Sequence, residues 1–177
     1  IADTPVFNDY QLLDNYYPNS KFINLTRDLS LWLPSIQRLL LRMYNNVTRS
    51  DGGFNPYIKR CYQQTFSPFS LKNLHNTEFL ADCYYQHQQD LRDHFANRAE
   101  HLLSIDISTP NSFSQLMSFI ELTAVDNSRC AFEHLNKAGK ITAWNSIRHP
   151  LKINSTKDGR IAQLDYLNHS SIDKNHF

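Results

Sequence analysis

The chain has 177 residues, 41% of them hydrophobic and 20% charged, with a formal net charge of +1. That length buries one sizeable core, and the near-neutral balance excludes a global pull toward nucleic acid or an anionic membrane, so any anion site has to be local. Four glycines and a 12% aromatic share exclude a disordered or glycine-repeat chain.

The first clear element in chain order is Lys21-Phe-Ile-Asn-Leu-Thr26, short, apolar-rich and bounded by Pro18-Asn19-Ser20. It is a predicted strand, central and parallel. Leu29, Trp32, Leu33, Ile36, Leu39, Leu40 and Met43 then recur at helical steps. Pro34 is tolerated in a first turn, which predicts a helix start between Asp28 and Leu31. Residues 48–73 hold Gly52-Gly53, Pro56 and Pro68 and read as a long excursion. Its aromatic residues, Phe54, Tyr57, Tyr62, Phe66 and Phe69, form either a wall for a ligand or a cover for the core.

A second helix is expected over 77–98, with Leu80, Tyr84, Leu91 and Phe95 on one face, and a strand over 101–107. Ser112-Phe-Ser-Gln115 has the pattern of a capping box opening a helix through Leu116, Met117 and Ile120. Strand, helix, helix, strand, helix predicts an α/β domain with a parallel sheet flanked by helices. The tail from Lys152 is polar and reads as a loosely packed extension.

No stretch approaches the length of a membrane-spanning helix, and the residues from Ile1 do not read as a signal peptide. Cys61, Cys83 and Cys130 are odd in number and widely spaced, which fits reduced thiols in a cytoplasmic protein better than a disulfide frame or a zinc site. Asn24, Asn46, Asn154 and Asn168 each open a glycosylation triplet, but a strand position for Asn24 argues against its use. His87 and His94 lie seven apart on the second helix, which is not the spacing of a two-histidine metal face.

The constellation that carries chemistry is Thr26-Arg27-Asp28 running straight into the helix that bears Ser35. A strand-to-helix junction puts a helix N-terminus at the carboxyl edge of a parallel sheet, where free N–H groups and the helix dipole favour an anion. Arg27 adds a bidentate cation and Ser35, eight residues on, a hydroxyl donor. Each residue also has an ordinary reading: Arg27 as a surface ion-pair partner of Asp28, Ser35 as a helix-start residue.

Tyr17-Pro-Asn-Ser-Lys-Phe-Ile-Asn-Leu-Thr-Arg-Asp-Leu-Ser-Leu-Trp-Leu-Pro-Ser35 resembles the 3′-phosphate motif of sulfotransferases that use 3′-phosphoadenosine-5′-phosphosulfate. The segment through Asp3-Thr-Pro5, the helix with Tyr84, His87 and Phe95, the strand Leu102-Leu-Ser-Ile-Asp-Ile107 and Phe132-Glu-His-Leu-Asn-Lys137 are similar to bacterial sulfotransferase-like proteins, with Glu133 replacing a proline. The resemblance covers residues 1–137 and leaves 138–177 as an extension, and it implies a capping role over the nucleotide for Lys137-Ala-Gly-Lys140 or Lys157-Asp-Gly-Arg160.

It implies a P-loop NTPase-like sulfotransferase fold, that phosphosulfate donor, and Arg27 and Ser35 as its 3′-phosphate ligands. It also implies a hydroxyl- or amine-bearing acceptor, either a small molecule or a glycan. The family's phosphosulfate loop, a Lys-, Gly- and Ser/Thr-bearing turn, has no match here, so the chain reads as a C-terminal portion holding half of the donor site. The alternative is a non-catalytic sulfotransferase-like module for nucleotide binding or interaction. Asp3 is the nearest acid to the reacting end by position, though an Asp before Thr-Pro is also an ordinary turn residue.

Overall fold

The computed structural model describes residues 4–122 and 132. They belong to one compact unit, Ile1–Phe132. Helix α1 (Val6–Tyr16) precedes strand β1 (Phe22–Leu25), which feeds the long helix α2 (Leu29–Thr48). Helices α3 (Pro56–Thr65), α4 (Leu71–His75) and α5 (Thr77–His94) follow, then a 3-10 turn (Ala99–His101), strand β2 (Leu102–Ile105) and helix α6 (Ser112–Phe119). The two strands pair in parallel, Phe22 opposite Leu102 through Leu25 opposite Ile105. The fold is the expected α/β arrangement of a parallel sheet with helices packed on it.

The helix α2 starts at Leu29 because Asp28 caps it, its carboxylate accepting from the Ser30 N–H at 2.8 Å and from the Ser30 hydroxyl. Pro34 therefore lies in the second turn rather than the first. It denies the Ser30 carbonyl its usual helical donor, on a face that is exposed to water.

Residues 48–73 are not one long excursion. Pro56 sits at the first helical position, where a missing N–H is harmless, and Asn55 caps α3 through Tyr57 N–H (2.9 Å) and Ile58 N–H (3.3 Å). Ser70 caps the short α4. The prolines and glycines here punctuate helices rather than mark a loop. Of the aromatic residues, Phe66 is buried with Leu40, Leu74 and Leu80, and Phe69 packs on that cluster and stacks on Tyr44. These two and Tyr62 cover the core, while Tyr57 is exposed.

Helix α6 also differs from expectation. Ser112 is its first helical residue and not its cap; Asn111 takes that place with φ of 66°, in the left-handed region. The Ser112 side chain is buried and its hydroxyl donates to the Ile107 carbonyl at 3.3 Å. The position that looked like a cap is a tether between α6 and the end of β2.

Helix α5 lays one stripe down the sheet: Tyr84, Gln88, Leu91 and Phe95. Leu91 and Phe95 join Tyr10 of α1 in a second core that Phe22 and Leu102 complete. Gln88 and Asn24 face each other as a buried carboxamide pair, with Asn24 Nδ2 donating to Gln88 Oε1 at 2.6 Å and Gln88 Nε2 returning at 3.4 Å. Asn24 is thus engaged inside the fold, which removes it as a glycan acceptor. Polar ties close the frame. Arg60 pairs with Asp9, Arg98 and His94 with the buried Asp14, and Lys21 with Glu121.

Candidate functional site

The strand ladder ends where the Thr26 N–H donates to the Ile105 carbonyl at 2.8 Å. Arg27 is the next residue, beyond the last backbone bond to β2, and its main chain is held from helix α5 instead. The Tyr84 hydroxyl accepts from the Arg27 N–H at 3.2 Å and donates to the Arg27 carbonyl at 3.0 Å. The Tyr84 ring packs on Trp32 in the start of α2, with centroids 4.7 Å apart.

The Arg27 side chain is exposed. Among the described residues it forms no ion pair. Asp28, its expected partner, is occupied in capping α2. Ser35 is exposed in the second turn of α2, beyond the helix-start position, on the same strand-to-helix connection.

The end of β2 repeats the chemistry of the end of β1. Asp106 accepts from the Ser108 N–H at 2.8 Å and the Ser108 hydroxyl at 2.6 Å, as Asp28 does from Ser30. The Ser108 hydroxyl and N–H hold the Asp106 carboxyl below its usual range, with the Arg27 charge adding to the effect and burial opposing it. Ser30 does the same for Asp28. The anion-attracting guanidinium thus stands beside two carboxylates, a feature that the spacing of Arg27 and Ser35 did not announce. The repeated Asp-x-Ser at 28–30 and 106–108 was its only sequence signal.

The histidines lie elsewhere. His94 Nε2 donates to Asp14 at 2.8 Å and its ring meets Tyr10 edge-on. His87 also meets Tyr10 edge-on and lines an open cleft of about 690 Å³ between α1 and α5, with Phe7, Phe79, Asp82 and Asp90 among its walls. Burial pushes the His87 imidazole below its usual pKa, with Asp90 opposing. Among the described residues no group of three or more His, Cys, Asp or Glu is placed to hold a metal ion, and no helix is long and apolar enough to cross a membrane. Asp3, Lys137, Lys140, Trp144, Lys157 and Arg160 lie outside the described residues.

Helices packed on a parallel sheet, with the exposed Arg27 just past the end of β1 and the exposed Ser35 in the helix that follows, define an α/β protein. The chain belongs to the sulfotransferase domain family, whose model matches residues 1–141. No curated protein matches the chain.

Proposed function

We propose that this chain works as a sulfotransferase on 3′-phosphoadenosine-5′-phosphosulfate and carries the 3′-phosphate half of that donor's site, with Arg27 and Ser35 as the phosphate ligands. The observation that carries the reading is Arg27 itself: exposed, without an ion-pair partner among the described residues, and held by its backbone at the entry to the helix that bears Ser35. Residues 1–137 constitute the transferase domain and 138–177 a C-terminal extension. The acceptor is a hydroxyl- or amine-bearing small molecule or glycan. Free thiols at Cys61 and Cys83 support a reducing, cytoplasmic setting.

In sulfuryl transfer an acceptor oxygen or nitrogen attacks in line while the nucleotide leaves, so the protein acts mainly by positioning groups and stabilising charge. Arg27 and Ser35 would act remotely from sulfur, using binding energy at the 3′-phosphate to align the reacting end. A charge-assisted hydrogen bond is worth about 1.5–3 kcal/mol, so Arg27→Ala should raise the donor KM roughly ten- to hundredfold. Steady-state kinetics with varied donor checks this, and unchanged donor KM would sink the assignment. Binding of 3′,5′-adenosine bisphosphate without turnover of any acceptor would point instead to the non-catalytic module.

A further inference from the structure

We infer that Tyr84 is a positioning residue for Arg27, and that its hydroxyl sets the preference of the site for a nucleotide bearing a 3′-phosphate. The inference rests on the reading of Arg27 as a phosphate ligand and adds a residue that acts through it.

A residue that follows the last rung of a strand loses the ladder that orients its peptide groups. Arg27 is in that position, because the last bond to β2 is made by Thr26. One side-chain oxygen replaces the ladder: the Tyr84 hydroxyl takes both the N–H and the carbonyl of Arg27. Two bonds to one atom fix the backbone of this residue more tightly than either alone. The guanidinium stands at the far end of a long side chain, so a turn of the Arg27 backbone is magnified there, and bidentate recognition of phosphate has little tolerance for misplacement.

The anchor is itself fixed. The Tyr84 ring lies against Trp32 at 4.7 Å and 51°, and against Tyr85 at 5.9 Å. Trp32 belongs to α2, the helix that carries Ser35. Tyr84 therefore touches both parts of the phosphate unit, the backbone of Arg27 and the helix of Ser35, from a third element 57 residues away in sequence. Phenylalanine at this position keeps the ring packing and removes only the hydroxyl.

The test is calorimetric titration with 3′,5′-adenosine bisphosphate and with adenosine 5′-phosphate, on the protein as it stands and on Tyr84→Phe, Arg27→Ala and the double variant. Tyr84→Phe is expected to lower the ratio of the two affinities about three- to tenfold, with the 5′-phosphate ligand little affected. In the Arg27→Ala background the same change should have no further effect on the ratio. Equal weakening of both ligands by Tyr84→Phe, or an undiminished effect without Arg27, would mean a structural role only and overturn the inference. If Arg27→Ala abolishes the preference and Tyr84→Phe leaves it intact, the inference falls and the phosphate reading stands. An unsubstituted protein with no preference for the 3′-phosphate overturns both.

Discussion

Arg27 precedes Asp28 in the chain and its charge reaches Asp106, and both carboxyls are held below their usual pKa range by serine donors two residues along the chain. Their charges oppose an incoming phosphate, while Arg27 and the positive end of α2 attract it. Asp106→Asn removes one opposing charge. It should tighten 3′,5′-adenosine bisphosphate binding about two- to fivefold at low ionic strength, and the gain should shrink as salt screens exposed charges. Weaker binding by the variant would show instead that Asp106 holds Arg27 in place. The strand-to-helix connection that carries Arg27 and Ser35 was legible from the sequence, because apolar patterning along one short segment carries that information. Asp106 and Tyr84 were not legible as their neighbours, since nothing local links positions so far apart in the chain.

At the scale of elements, α5 does the organising. Its stripe holds Arg27 through Tyr84, the middle of β1 through Gln88, and the second core through Leu91 and Phe95. A buried carboxamide pair is costly to break on one side only. Gln88→Leu strands the Asn24 amide, apart from its 3.2 Å bond to Ser104 Oγ, and should cost about 1–3 kcal/mol. Adding Asn24→Leu should recover part of that loss in urea denaturation, because both polar partners are then gone. A double variant less stable than the sum of the single ones would contradict the pairing. The apolar stripes of α2 and α5 were plain in the sequence. Helix α3 was hidden because Cys61 is its one buried residue and Pro56 resembled a loop signal. The serine that suggested a cap for α6 turned out to serve packing, a choice made by the neighbouring strand end.

The whole molecule carries a pH dependence built from two buried or half-buried groups. His87 has a folded pKa below its ordinary value of 6.5 because burial disfavours the imidazolium. The unfolded chain therefore binds the extra proton, and stability falls as pH drops through about 6.5. Asp14 is only 4% exposed, and the Arg98 guanidinium, aided by His94, holds its carboxyl below 3.8 against the effect of burial. That contribution is present above pH 3.8 and is lost as pH falls through the lowered folded value. Thermal unfolding followed from pH 8 to pH 3 should show both declines. His87→Gln is expected to flatten the first and Asp14→Asn the second; a slope unchanged by its own substitution would refute that assignment.

The sheet itself shows where local reasoning stops. Ile23 and Leu25 are 45% and 60% exposed on one face of β1, while Phe22 and Asn24 are covered by α5 on the other. The alternation expected of one covered face is present, but which face is covered depends on the chain returning from residue 77 onward. By itself the sequence determined the parallel strand-to-helix unit around Thr26–Asp28, the family, and the two residues proposed to meet the phosphate. The strand-to-helix unit follows from short-range patterning, and the family and the two proposed residues from the resemblance of that segment to the sulfotransferase 3′-phosphate motif. Only the tertiary structure decided that a tyrosine from α5 holds Arg27, that Asp106 comes within reach of its charge, and that Asn24 is spent on Gln88. Those contacts join positions 57 to 79 residues apart, where packing decides the partner and the local sequence carries no trace of it.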